Sequence, residues 1–269
     1  MTATEQDEPG AGSTPPAVWA RGLVRRFGKA TAVDGLDLAI RPGEFYGLLG
    51  QNGAGKTTTI KMIVGLLRPS AGRAGIGEYD TWKQPVEVKR RIGVLPEEFN
   101  LYERLTGAEL LDFASAMHGL DRDEAVSRRN ELLALLDLEY EAGKLVGDYS
   151  RGMRKKVALA AAIIHRPDVL FLDEPFEGVD ALSARLIQRL LIRYTEGGAT
   201  VVFSGHEMHL VERLCTRIGI MIHGRLAREG TQAELCAEFG VTSIEDAFIA
   251  AVGGDDDRGA ISWLHDSPG

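Results

Sequence analysis

Short apolar segments alternate with longer amphipathic segments along most of the chain, and this alternation predicts repeated β–α units. The predicted strands cover residues 17–24, 32–40, 44–49, 73–77, 92–95, 169–172, 199–204, 217–222 and 224–229. The predicted helices cover residues 58–67, 85–91, the segment that follows Thr106, and residues 122–136, 150–164, 181–194, 231–239 and 243–252. We therefore expect an α/β domain over residues 17–252, with a mostly parallel central sheet, helices on both faces and antiparallel strands near its N-terminus.

The middle and the two ends of the chain depart from this alternation. Residues 105–149 show helical periodicity without a strand pattern, and they begin with a capping box at Thr106 and Glu109. We expect a helical subdomain of about residues 100–165, inserted into the α/β domain. Residues 1–16 are poor in apolar side chains and predict a disordered tail, and residues 253–269 predict a loose acidic tail.

Composition narrows the class of protein. The 269 residues include 44% hydrophobic side chains and carry a net charge of -8, as expected of an acidic globular protein. This charge argues against nucleic acid as the main partner. No apolar run is long enough to span a bilayer, and residues 1–10 show no leader pattern, so we expect a cytoplasmic location.

The strongest local motif is a phosphate loop, defined here as residues 50–58. Gly50, four free positions, and then Gly55, Lys56 and Thr57 fit the phosphate-binding pattern, between a predicted strand and a predicted helix. Backbone N–H groups in such a turn bind phosphate oxygens, the lysine reaches the β- and γ-phosphates, and the threonine hydroxyl can ligate Mg²⁺. The predicted nucleotide-binding residues of the loop are Gln51, Asn52, Gly53, Ala54, Gly55, Lys56, Thr57 and Thr58.

Acidic and aromatic residues extend this site. Asp173 and Glu174 follow a continuous apolar run that is typical of a central parallel strand, and ligands of such sheets bind at the carboxyl ends of strands. We therefore expect both carboxylates beside the phosphate loop. Phe27 lies in a predicted turn and could stack on an adenine face, with a core residue at that turn as the alternative.

Taken together, these motifs and their order resemble the nucleotide-binding subunit of ATP-binding cassette (ABC) transporters over about residues 18–250. The family's signature is similar to residues 149–153, Tyr-Ser-Arg-Gly-Met, which we call the signature turn. Further matches are the acidic strand end, the contact loop of residues 176–181 with Asp180, and the switch histidine His206. The Tyr-Ser-x-Gly-Met signature and Leu-Pro-Glu-Glu at residues 95–98 most resemble the drug, antibiotic and ion exporter (ABC-2 type) branch.

Several positions depart from the family pattern. The usual glutamine of the loop that links the two lobes is Glu97 here, which adds charge and cannot donate a hydrogen bond. The signature turn has Arg151 in place of one glycine and Met153 in place of glutamine, while Ser150 and Gly152 are kept. In the contact loop, Glu177 replaces a small polar residue.

The resemblance implies an ATP hydrolase that uses ATP and Mg²⁺. Glu174 would polarise the attacking water and His206 would hydrogen-bond the γ-phosphate. Thr57 would ligate Mg²⁺ directly and Asp173 through water, with Glu97 as a further candidate ligand.

The resemblance also implies partners. Ser150, Arg151, Gly152 and Met153 would cap the ATP held by a second cassette, either a copy of this chain or a homologue, with Asp180 at the dimer contact. The basic residues Arg154, Lys155 and Lys156 would add positive field there, or form a solvated basic face. A separate multi-span permease would hold the subunit on the inner face of the cell membrane.

We expect this chain to power an exporter. The alternatives are a soluble cassette ATPase without a transport role and the ATPase of an importer. A single phosphate loop and a short segment between Glu97 and Ser150 argue against translation-type and repair-type cassettes.

Overall fold

The computed structural model describes residues 15–97 and 100–253. Its strands are β1 (Val18–Phe27), β2 (Ala30–Ile40), β3 (Phe45–Gly50), β4 (Ala71–Ile76), β5 (Tyr79–Asp80), β6 (Ile92–Leu95), β7 (Val169–Asp173), β8 (Thr200–Gly205), β9 (Arg217–Ile222) and β10 (Arg225–Gly230). Its α-helices are α1 (Lys56–Ile63), α2 (Pro85–Arg91), α3 (Gly107–Met117), α4 (Arg122–Leu135), α5 (Arg151–Ile163), α6 (Ala181–Glu196), α7 (Met208–Leu214), α8 (Gln232–Phe239) and α9 (Ile244–Val252). Short 3₁₀ turns cover Glu139–Glu141 and Val146–Asp148.

The strands form two sheets. The larger sheet has the order β10-β9-β3-β8-β7-β6, and every neighbouring pair in it is parallel except β10 with β9. The smaller sheet has the order β2-β1-β4-β5 and is antiparallel throughout. The predicted fold class, a mostly parallel central sheet with N-terminal antiparallel strands, is confirmed.

The central strands are buried on both faces. All residues of β3, β7 and β8 are buried, as their continuous apolar sequences require when helices cover both sides of a parallel sheet. Tyr46 and Leu48 on β3 pack in the core cluster shared with the antiparallel sheet, while Phe45 and Leu49 pack in the cluster shared with the helices. Alternate side chains of β3 therefore belong to the two core clusters on opposite faces of the central sheet.

Residues 100–165 hold three helices between β6 and β7. Thr106 and Glu109 form the predicted capping box at the start of α3. The Arg129 guanidinium on α4 binds the Asp112 carboxylate on α3 at 2.7 Å, and Arg128 donates to the Ile164 carbonyl oxygen at 2.8 Å. These bonds tie α4 to the helices on either side of it in sequence.

The observed elements differ from the predicted ones in several places. Helix α1 begins at Lys56, two residues before the predicted start, and it ends at Ile63 rather than residue 67, because Gly65 takes a left-handed φ of 80°. Strand β5 and helix α7 were not predicted. The predicted tails over residues 1–16 and 253–269 lie almost entirely outside the described residues. In the described ranges, every helix is too short or too polar to cross a membrane.

Candidate functional site

The phosphate loop connects β3 to α1 through two left-handed glycines. Gly53 and Gly55 have φ angles of 82° and 103°, which residues with a Cβ resist. At Gly55 a Cβ would also lie 2.5 Å from the Ala32 carbonyl oxygen on β2. Helix α1 begins at the next residue, so its first N–H groups face the loop. The sequence pattern thus produces a turn that aims backbone donors at a bound anion.

The Lys56 side chain reaches back across this turn. Its ammonium group donates to the carbonyl oxygens of Gly50 at 2.7 Å and Gln51 at 3.3 Å. Burial lowers the pKa of Lys56, and the carboxylates of Glu174, Asp173 and Glu97 oppose this shift. The lysine therefore provides a largely buried positive charge at the centre of the loop.

A cavity of about 390 Å³ lies over the loop and brings together residues that are far apart in sequence. Its lining consists of Ala32, Asn52, Gly53, Ala54, Gly55, Lys56, Thr57, Thr58, Glu97 and Glu174. Gln51 is exposed at the start of the loop. The structure therefore places the predicted base, the lobe-linking carboxylate and most of the phosphate loop around one space.

The acidic strand end is built by the pairing of β7 with β8. Asp173 lies opposite Ser204 in the parallel register, and its buried carboxylate accepts a hydrogen bond from the Ser204 hydroxyl. The N–H of Glu174 donates to the Ser204 carbonyl oxygen at 3.1 Å, and Glu174 has a left-handed φ of 48°. This turn directs the Glu174 side chain to the cavity, while the Asp173 side chain stays at the sheet.

Glu174 is paired with the predicted switch histidine. The Nδ1 atom of His206 lies 3.2 Å from Oε1 and 3.1 Å from Oε2 of Glu174. Burial raises the pKa of Glu174, whereas the hydrogen bond and charge of His206 lower it. The His206 ring is 61% exposed, and so the pair joins a sheltered carboxylate to a solvent-facing imidazole.

The signature turn lies outside this cavity, against the contact loop. Ser150 caps α5 by accepting a hydrogen bond from the Met153 N–H at 3.2 Å. Asp180 caps α6 through the N–H groups of Leu182 and Ser183, and these bonds lower the pKa of Asp180. An Oδ atom of Asp180 lies 3.2 Å from the position of a Cβ on Gly152.

Two departures from the family pattern meet at the same place. The Arg151 guanidinium is 3.7 Å from the Glu177 carboxylate. It also covers Gly178, where a Cβ would lie 2.6 Å from the guanidinium carbon. The exchanged residues of the signature turn and the contact loop are thus neighbours in one chain.

Phe27 is at the end of β1 and is 48% exposed, so the core alternative is wrong. The Arg25 guanidinium lies 4.5 Å from the centroid of its ring. Ala32 on the adjoining β2 lines the cavity. Adenine stacking on Phe27 stays a prediction.

Sequence reasoning missed the roles of Ser204 and Lys155 beside the acidic strand end. Ser204 fixes Asp173, and its place at the end of a predicted strand was the available signal. Lys155 and Lys156 are only 1% and 6% exposed, so the solvated basic face is wrong for both. A lysine within an otherwise apolar helical run could have indicated an interior partner.

The oxygen-bearing groups here fit Mg²⁺. Thr57, Asp173 and Glu97 offer hydroxyl and carboxylate oxygens, the hard ligands that Mg²⁺ prefers. In residues 15–97 and 100–253 no group of three or more His, Cys, Asp or Glu could hold a metal ion by itself. Mg²⁺ is usually bound through one or two protein ligands together with substrate phosphates.

Comparison with known proteins decides the family. A profile described as ABC transporter matches residues 33–177, a stretch that spans the phosphate loop, the signature turn and the acidic strand end. The chain belongs to the ABC transporter family. The predicted resemblance is thereby confirmed, and this cassette binds and hydrolyses ATP.

Relatives of this ABC cassette include the linearmycin resistance ATP-binding protein LnrL of Bacillus subtilis, 37% identical over 87% of this chain and 78% of that protein. A fluoroquinolones export ATP-binding protein of Mycobacterium tuberculosis is 35% identical over 87% of this chain and 77% of its own length. A solved dimeric ATP-binding cassette, in a post-hydrolysis state with ADP and phosphate bound, has a TM-score of 0.73 and 26% identity over 80% of this chain and 98% of its own.

Proposed function

We propose that this chain is the ATPase subunit of an exporter, in which two cassettes close on ATP and drive a separate membrane permease. The observation that carries the proposal is the division of the site. Lys56 and Glu174 line one cavity, while Ser150 lies outside it and is free to serve a second cassette. Relatives named for antibiotic resistance and for drug export support the exporter assignment.

Hydrolysis at this site relies on positioning and charge neutralisation. The loop N–H groups and Lys56 bind the phosphates. Glu174 orients a water molecule and accepts its proton as the oxygen attacks the γ-phosphorus and the bond to the ADP oxygen breaks. His206 holds the Glu174 carboxylate and donates to the γ-phosphate. Thr57 and Asp173 would hold Mg²⁺, which neutralises phosphate charge when bound.

The signature turn supplies the missing part of each site. Ser150 opens α5, so the turn combines a hydroxyl with a helix N-terminus, and both favour an anion. Two copies related by a two-fold axis would place each turn over the ATP of the other copy, with Asp180 at the contact. The dimeric relative supports this arrangement. The second cassette is a copy of this chain or a homologue.

The permease would dock beside the lobe-linking loop. A groove of about 860 Å³ there is lined by Leu101, Tyr102, Phe113, Val146 and Arg154, among other residues. Tyr102 and Phe113 are 60% and 41% exposed and meet edge to face at 5.1 Å between ring centroids. Exposed aromatic side chains around a groove favour the insertion of an apolar segment. Such docking would hold the cassette at the cytoplasmic face of the membrane.

Glu174→Gln tests the chemistry. We expect a dimer trapped with ATP and turnover reduced by about 100-fold or more, because the general base is lost while its shape is kept. Size-exclusion chromatography with ATP and Mg²⁺ and a phosphate-release assay measure both effects. Glu207→Gln, which changes the carboxylate that follows His206 in sequence and does not line the cavity, serves as the control and should turn over normally. Wild-type turnover in Glu174→Gln would refute the role of Glu174.

Purification of the tagged chain from detergent-solubilised native membranes tests the exporter assignment. A polytopic protein recovered in stoichiometric amount supports it, and loss of that protein in the Tyr102→Ala, Phe113→Ala double variant supports the groove. Recovery only as a self-dimer, or with ribosomes or DNA, would favour the soluble alternative and overturn the transport role. Transport assays in vesicles with the recovered permease separate export from import.

A further inference from the structure

A fully buried lysine on α5, the helix that begins at the signature turn, holds the loop that carries the proposed base. The Lys155 ammonium donates to the Glu174 carbonyl oxygen at 2.5 Å and to the Glu177 carbonyl oxygen at 3.3 Å. The side chain is 1% exposed, and burial lowers its pKa while the charges of Glu177 and Glu174 oppose that shift. A charged group is buried in this way only when its partners compensate for lost hydration.

The residue it holds has an unfavourable backbone. Glu174 takes a left-handed φ of 48°, a region that residues with a Cβ rarely enter without support. Its N–H is bonded to the Ser204 carbonyl oxygen at 3.1 Å, and its carbonyl oxygen is bonded to Lys155. Both polar groups of its main chain are therefore fixed. The N–H is held by β8, and the carbonyl oxygen is held by Lys155 of α5 together with the Glu177 N–H of the same loop, which donates to it at 3.3 Å.

We propose that Lys155 is a positioning residue for ATP hydrolysis: its ammonium group fixes the left-handed main chain of Glu174, so that the carboxylate reaches the nucleotide cavity. The proposal rests on the proposed role of Glu174 as base. Lys155 lies on α5, which Ser150 caps. One helix therefore carries the signature turn at its start and contacts the proposed base of its own chain through Lys155. Lys155 acts through Glu174 and does not line the cavity.

The chain provides a matched control in the next residue. Lys156 is 6% exposed, and its ammonium lies 3.5 Å from the carbonyl oxygen of Asp137, which has a left-handed φ of 51°. Asp137 follows α4 in the helical segment and lies outside the cavity. Lys155→Met and Lys156→Met therefore remove the same buried charge from the same kind of partner, and only one of those partners is the proposed base.

The experiment compares these two variants with wild type in the purified full-length chain. We expect Lys155→Met to lower kcat by about tenfold or more while the Kd for ATP changes by less than about threefold, since misplacing a reacting group affects the chemical step. Both variants should lower the melting temperature by similar amounts, but Lys156→Met should keep kcat within about twofold of wild type. Equal loss of kcat in both variants, or wild-type kcat in Lys155→Met, would overturn the proposal.

Two further variants keep the test decisive if Lys155→Met does not fold or if Glu174 is not the base. If Lys155→Met is unfolded at the assay temperature, Lys155→Gln, which keeps a shorter donor, should fold and show a smaller loss of kcat; wild-type kcat there would overturn the proposal. Glu174→Gln, assayed in parallel, separates the two proposals. Turnover in Glu174→Gln refutes the base assignment itself. An inactive Glu174→Gln beside a fully active Lys155→Met refutes only the positioning role.

Discussion

Replacing Ser150 by alanine should separate the structural role of this residue from its role in the dimer. The Ser150 hydroxyl caps α5 by accepting from the Met153 N–H at 3.2 Å. Ser243 caps α9 in the same way, by accepting from the Asp246 N–H at 3.1 Å, and α9 lies outside the cavity. The two serines therefore accept the same kind of capping bond, although the Ser243 hydroxyl also donates to the Asp246 carboxylate at 2.7 Å, and only Ser150 belongs to the signature turn.

The expected magnitudes differ between stability and association. Loss of either cap should lower the unfolding free energy by about 1 kcal/mol, or the melting temperature by about 2–4 °C. A hydrogen bond from Ser150 to a charged phosphate contributes about 1.5 kcal/mol or more. A dimer with two equivalent composite sites loses this twice, about 3 kcal/mol in total, which weakens ATP-dependent dimerisation by about 150-fold.

The assay is sedimentation velocity with ATP and Mg²⁺, in the Glu174→Gln background so that the nucleotide persists. Ser243→Ala should melt earlier and dimerise as well as its parent, whereas Ser150→Ala should melt earlier and remain monomeric at micromolar concentration. Equal dimerisation by the two variants would show that the signature turn does not contact the nucleotide of the second cassette, and the reasoning on composite sites would be wrong.

Three further predictions concern the site and the fold. The His206 hydrogen bond lowers the pKa of Glu174, so His206→Ala should raise that pKa and move the acidic limb of kcat/KM to higher pH; an unmoved limb in the pH–rate profile contradicts the pairing. Burial lowers the pKa of His165 to about 4 from 6.5, so the unfolded chain binds its proton first as pH falls. The unfolding free energy should therefore fall as pH drops between these values, by about 1–2 kcal/mol after solvent screening. Urea unfolding at pH 7 and at pH 5 measures this fall, which should be smaller in His165→Gln than in wild type. Gly55→Ala meets both a left-handed φ and a backbone oxygen of β2, and should lower the unfolding free energy by about 2 kcal/mol or more and weaken ATP binding in calorimetry. Gly53→Ala meets only the unfavourable φ, so an equal loss of stability there would contradict the steric argument.

Residue patterns predicted the central elements because local sequence and burial agree there. The apolar run ending at Asp173 is typical of a doubly covered strand, and the phosphate loop predicted that a helix follows it, although α1 begins two residues earlier than expected. Strand β5 has two residues and depends on pairing with β4, so it leaves no periodic signal. Helix α7 has seven residues and no side-chain cap, and its start is set by the turn after His206.

Site residues that belong to a sequence motif in a loop could be predicted. Residues that support the site through bonds to distant parts of the chain could not. Lys155 holds a carbonyl oxygen 19 residues away, which no spacing rule reveals. Arg151 and Glu177 each depart from the family pattern, and only the fold shows that they lie 3.7 Å apart. The sequence therefore identified the groups that line the cavity more readily than those that hold them in place.

Strand β8 lies between β3 and β7 in the central sheet. Since neighbouring strands are about 4.8 Å apart, the strand that leads to Lys56 and the strand that leads to Glu174 are separated by about 10 Å. Every residue of β8 is buried, yet the strand determines how far Glu174, the proposed base, lies from the phosphate loop. A substitution that tilts or widens β8 should impair turnover while nucleotide affinity and both chemical groups stay intact.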